Sequence, residues 1–144
     1  MPPVFFSTPA LFYQVLWASH AVLVLGELGL LRLIACPYIL VEAERNVKKK
    51  TPVALPRYQD VMANINWEIV PNPSKAEVLM WSQFILDKDA PVLAAAVNAK
   101  PRHFATLDAK DFLKSSQVTQ NSGLNIITPG TLLRLIRDVL AKGL

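Results

Sequence analysis

The chain has 144 residues, a common size for one domain and long enough to bury a core without disulfides or structural metals. Hydrophobic residues at 52% against 18% charged exclude a disordered chain, and the single cysteine, Cys36, excludes an internal disulfide. The net charge of +4 permits a polyanionic partner without demanding one.

The first apolar run, Val4 to Phe6, is short and rich in β-forming residues, and it reads as a strand. An apolar, helix-forming stretch follows Pro9. Between Ala10 and Cys36, Gln14, His20, Glu27 and Arg32 interrupt this stretch and Gly26 and Gly29 break it. No clean run of ~20 apolar residues survives for a membrane span, and no basic segment precedes it as a secretory signal requires. A reducing, cytoplasmic setting fits the lone cysteine, which reads as core filler. The excess of apolar residues from Leu11 to Leu30 predicts a homo-oligomer contact.

Leu31 to Ala35 reads as the second strand, followed by helical signals from Pro37 to Lys49 and from Pro52 to Ile65. Trp67 to Val70 is a third strand. The helix from Ser74 to Ile85 opens on Ser74 and Glu77, the spacing of a capping box. Another helix runs from Ala90 to Lys100, then a strand from Phe104 to Leu107. Ser115 to Gly123, rich in Ser, Gln and Asn, reads as a surface loop. Asn125 to Thr128 is the last strand. The final helix carries a stripe of Leu132, Leu135, Ile136, Val139 and Leu140 and stops at Gly143. Strands alternating with helices predict one α/β domain with a parallel sheet covered on both faces.

In such a sheet, function gathers beyond the carboxyl ends of the strands. Asp108 follows the fourth strand directly, with Asp111 three residues on. Asp87 and Asp89 precede the helix at Ala90, and Glu42 lies in the first two turns of the helix after the second strand. With crossovers of the usual hand, Glu42, Asp89, Asp108 and Asp111 meet at one edge. Their mutual repulsion would be relieved by a hard divalent cation, and oxygen ligands suit Mg²⁺ or Mn²⁺. Taken singly, each acid reads first as a helix cap, a turn residue or part of a solvated face, and only their joint placement points to a site. His20 and His103 read as structural, and Trp17, Trp67 and Trp81 as core.

Three blocks carry a family resemblance: FFSTPALF at Phe5 to Phe12, CPYILVEAERNV at Cys36 to Val47, and KDAPVLAAAV with FATLDAKDF from Lys88 to Phe112. Together they resemble the PIN family of metal-dependent nucleases across nearly the whole chain. The resemblance implies a three-layer α/β/α sandwich with a parallel sheet of about five strands. It also implies catalytic, metal-binding carboxylates at Glu42, Asp89 and Asp108, an additional acid at Asp111, and a small hydroxyl residue at Thr106. The family pattern has an Asp at the end of the first strand, followed after one residue by Asn, whereas this chain has Ser7 and Pro9. A Ser hydroxyl brings neither the charge nor the second oxygen of Asp, so Ser7 would at most place a water on the metal.

Two functions follow as expectations. One is a Mg²⁺- or Mn²⁺-dependent endoribonuclease acting on single-stranded RNA, with the toxin of a toxin–antitoxin pair as one biological role. The other is a degenerate PIN module that binds RNA or a protein partner without effective metal chemistry. In either case Arg45, Lys48, Lys49, Lys50, Arg57, Lys110 and Lys114 supply candidate phosphate contacts, and Lys48 to Lys50 equally suit a solvated helix end.

Overall fold

The computed structural model describes residues 3–6 and 17–143. The apolar runs form β1 (Pro3–Phe6), β2 (Arg32–Ala35), β3 (Glu68–Ile69), β4 (His103–Ala105) and β5 (Ile126–Ile127). All pair in parallel, in the order β3-β2-β1-β4-β5. The connecting helices are α1 (Trp17–Glu27), α2 (Pro37–Lys50), α3 (Leu55–Asn64), α4 (Lys75–Ser82), α5 (Ala90–Ala99), α6 (Ala109–Leu113), α7 (Ser116–Asn121) and α8 (Pro129–Gly143). The architecture is a three-layer α/β/α sandwich.

The two-residue period of a strand sorts the central side chains between the outer layers. Phe5, Ile34 and Phe104 point to one face, where they meet Cys36, Trp81, Leu93 and Phe112 from the segment after β2 and from α4, α5 and α6. Their neighbours Val4, Leu33 and Ala105 point to the other, against Leu23, Val47, Tyr58 and Leu132 from α1, α2, α3 and α8. Both faces are therefore dry at the centre of the sheet, while Arg32 of β2 and Glu68 of β3 pair in solvent at 2.7 Å. Phe104 is the hinge of the first layer, edge-on to Phe5 at 5.5 Å and to Phe112 at 5.1 Å between ring centroids. Cys36 and Trp81 are core residues as expected, Trp67 is half-buried, and the side chain of Trp17 lies outside the described residues.

Local signals place most helix starts. Ser74 accepts from the Glu77 backbone N–H at 3.1 Å and its own N–H donates to the Glu77 carboxylate at 2.8 Å, which completes the predicted capping box. That helix ends at Ser82, short of Ile85, and Lys100 closes α5 in the left-handed region at φ 48°. The predicted helix from Pro52 is split: a 3₁₀ turn at Pro52–Ala54 precedes α3.

Two expectations are corrected. The polar segment from Ser115 to Gly123 is mostly helix: the Ser115 hydroxyl accepts from the Val118 N–H at 3.3 Å, and Val118 is fully buried beneath α7. One capping serine and one apolar anchor outweigh the polar composition. The stripe on α8 buries only at its start, through Leu132 and, in part, Ile136; Leu135, Val139 and Leu140 are exposed. Every residue from Arg137 to Lys142 is exposed, so the pattern continues where there is no core beneath it. Among the described residues, no helix is long and apolar enough to cross a membrane.

Phe104→Ala removes the ring that joins Phe5 to Phe112, and its cost is expected at about 3–5 kcal/mol. Urea unfolding measures it, and a loss below about 1 kcal/mol would contradict the central place given to that ring.

Candidate functional site

The chain runs outward from β1 through β2 to β3, then returns to lay β4 on the opposite side of β1. The connections on either side of β1 thus diverge at the carboxyl ends of β1 and β4, where open parallel sheets gather functional groups. Helix α2 starts at that edge because it leaves β2, and α6 starts there because it follows β4. Helix α5 leads into β4, so its first residue, rather than its last, lies at the same edge.

Asp89 occupies the N-cap position of α5, and it is not a cap: its side chain makes no hydrogen bond to the helix start. The same is true of Asp108 ahead of α6. Ser74 and Ser115, by contrast, do cap their helices. Asp89 is therefore not a simple helix cap, while Asp108 stands in the turn ahead of α6, as its plain reading had it. Asp89 is 6% exposed. One carboxylate oxygen, Oδ1, lies 3.5 Å from the Lys88 ammonium, while Oδ2 is buried without a hydrogen-bond partner.

Burial pushes the Asp89 carboxyl above its ordinary value, Lys88 draws it back down, and the charges of Asp108 and then Asp111 push it up again. Three of the four predicted acids are thus within electrostatic reach of one another. Asp108 is exposed and Asp111 half-buried. Thr106, fully buried at the end of β4, uses its hydroxyl to accept from the Asp108 N–H at 3.1 Å, which holds the turn that carries Asp108.

Glu42 lies on α2, half-buried, and binds the Arg45 guanidinium at 2.6 Å. Tyr38 stands one turn earlier on the same face of the helix. Burial raises the Tyr38 phenol, and the charges of Glu42 and, last, Asp89 raise it further. The backbone N–H of Tyr38 donates to the Asn72 side chain at 2.9 Å, which ties the start of α2 to the loop after β3. Tyr38 was not anticipated from the sequence, although its i, i+4 spacing from Glu42 was a usable signal.

Each side chain thus answers to its own local partner. Among the described residues, no group of three or more His, Cys, Asp and Glu side chains is gathered closely enough to hold a metal ion. Ser7 and Pro9, the positions where the PIN pattern is broken, lie outside the described residues. Asp87 is exposed beside the site. Of the basic residues, Arg45 and Lys114 are paired to Glu42 and Asp111, while Lys48, Lys49 and Lys50 form the exposed last turn of α2, and Lys110 and Arg57 are exposed. His103 hydrogen-bonds the Asn125 side chain at 2.8 Å across β4 and β5, in keeping with a structural role.

The raised Asp89 carboxyl has a direct consequence for stability. The folded protein holds that proton to higher pH than the unfolded chain, so stability falls as pH rises from the ordinary aspartate value through the raised one, and the penalty is complete above it. Asp89→Asn is expected to melt at a higher temperature than the parent at pH 7, with the gap closing as the pH drops below the ordinary aspartate range. A gap that does not change with pH, or a lower melting temperature at pH 7, would contradict it.

No family model matches the chain, and no curated protein matches it. Among solved structures it is similar to PAE2754 from Pyrobaculum aerophilum, with a TM-score of 0.64 and 17% identity over 96% of each chain. At that identity the likeness shows a shared fold, end to end, and the fold alone.

Proposed function

We propose that the chain is a PIN-type nuclease acting on single-stranded RNA at the acidic edge, where its carboxylates would hold a divalent cation. The observation that carries this reading is Asp89: a carboxylate withdrawn from water, at a helix start it does not cap, with a buried oxygen left without a partner. Such groups are rare, because a buried unpaired oxygen destabilises the fold, and they concentrate where chemistry needs them. The donor set is all oxygen and anionic, which fits Mg²⁺ or Mn²⁺. Asp89, Asp108 and Glu42 would hold the ion, with Asp111 adding charge.

When bound, such an ion activates water and neutralises charge on a phosphate. The chain's own residues do the rest. Thr106 fixes the turn of Asp108, Asn72 fixes the start of α2, and the basic residues on α2 and α6 hold the RNA backbone without choosing a sequence.

A second reading, a degenerate PIN module that binds RNA or a protein without cleaving, is favoured by Ser7 in place of the family's first Asp. It is also favoured by the lack, among the described residues, of a gathered group of three acids. Exposed Val24 on α1 and Leu28 just after it, with Leu135, Val139 and Leu140 on α8, support self-association in either case.

Cleavage of a labelled single-stranded RNA under Mn²⁺ titration separates the two. Activity in the parent that Asp89→Asn lowers by roughly 100-fold or more supports the nuclease. A silent parent that gains cleavage on Ser7→Asp, together with Mn²⁺ affinity raised at least about tenfold, supports the degenerate module. Cleavage indifferent to Asp89→Asn would sink the acidic-edge reading altogether.

A further inference from the structure

Glu27 is set against its own helix. It is exposed at the end of α1, where the helix dipole disfavours negative charge, and no basic residue stands in that last turn to balance it. Helices α1 and α8 pack side by side. Both run from the carboxyl toward the amino ends of the strands, since α1 leads into β2 and α8 leaves β5. His20, Ala21, Val24 and Leu25 of α1 and Leu133 of α8 line an apolar cavity of about 400 Å³ between the two helices. Leu133 is thus level with the middle of that set, and equal rise along two parallel helices brings Glu27 and Leu28 level with Arg137 to Leu140. Arg137 and Leu140 follow Leu133 on the same side of α8, at the i+4 and i+7 spacing. The cavity therefore continues as a groove, with Val24 and Leu28 on one wall and Leu133 and Leu140 on the other. Val24, Leu28 and Leu140 are 36%, 66% and 56% exposed. At its far end Glu27 lies on the first wall and Arg137 on the second, the arginine held only by its neighbour Asp138 at 3.4 Å with both exposed, a pair that binds loosely.

We propose that this groove is the contact between two copies of the chain, related by a two-fold axis that runs along it. Such an axis lays α1 of each copy on the second copy's α8 at the same level. Val24 and Leu28 then meet the second copy's Leu133 and Leu140, and Glu27 meets the second copy's Arg137. The two-fold makes each contact twice. Apolar surface leaves water, Glu27 gains the cation that its own helix lacks, and Arg137 exchanges a loose neighbour for a partner out of solvent. A partner carrying one sign of charge fits poorly, because the groove has an acid on one wall and a base on the other, a pattern matched by the same face turned over. An axis across the groove would set α1 on α1 and reverse the levels, which separates the opposite charges. The inference draws on packing and charge in the α1 and α8 layer and not on the acids of the proposed nuclease site.

Sedimentation equilibrium of the parent should show a dimer at about 100 μM. Leu140→Glu should weaken the dimer by about 30-fold or more, as loss of a central apolar contact does. Glu27→Arg and Arg137→Glu each set like charges together, and either should weaken it by about tenfold or more. Glu27→Arg/Arg137→Glu exchanges the two signs and should return the affinity to within about threefold of the parent, the non-additivity expected of two groups in contact. Circular dichroism of every variant should match the parent's, since all three positions are exposed. A parent that is monomeric at about 100 μM overturns the proposal and leaves the groove to another occupant. A dimer unmoved by Leu140→Glu puts the contact on another face and overturns it equally, and a double variant no tighter than either single one rejects the pairing of Glu27 with Arg137. RNA cleavage enters none of these readouts, so the dimer and the nuclease reading stand or fall separately.

Discussion

β1 has water on neither face. Val4 and Phe5 are fully buried in opposite layers, and β2 and β4 occupy both hydrogen-bonding edges of the strand. A strand confined in this way has no lateral surface for function, so polar chemistry is displaced to its ends. Because the chain turns outward on one side of β1 and returns on the other, the carboxyl end is where connections diverge and side chains from α2, α5 and α6 come into one another's range. The dry sheet and the acidic edge are two results of one packing constraint.

The edge is electrostatically unfinished in the free protein. Asp89 is buried beyond what its neighbours compensate: burial and the charges of Asp108 and Asp111 outweigh the pull of Lys88, and the carboxyl rises. Were Asp89 structural, capping α5 would satisfy an otherwise orphaned helix N–H and settle the oxygen at the same time. The chain instead caps α4 and α7 with serines and leaves the two aspartates ahead of α5 and α6 uncommitted.

The opposite layer presents a different surface. Helices α1 and α8 leave several large apolar side chains in solvent, and α8 carries its stripe beyond Ile136 with no core beneath it. Asp89 and Asp108 stand at the starts of α5 and α6, whose buried residues pack on the other face of the sheet, whereas α2, which carries Glu42, packs Ala43 and Val47 into this layer. An association there would leave the acidic edge free.

Much of this was legible from the sequence alone. Strand positions were readable because a doubly covered sheet demands uninterrupted apolar runs, and the α4 start was readable because a capping box is a local contact between Ser74 and Glu77. Local patterns failed where burial overruled composition, as at α7, where Val118 anchors a polar segment, and at α8, where periodicity gave no warning that the core ends at Ile136. The identities of the acids were also in the sequence, but each alone read as a cap, a turn or a solvated face. Only the tertiary structure decided that Asp89 is buried and uncapping and that Asp108 and Asp111 act on its charge. The physical reason is range: hydrophobic period and helix capping act over a few residues, whereas the burial of Asp89 and the charges of Asp108 and Asp111 that act on it exist only once the sheet has brought the starts of α5 and α6 to a common edge.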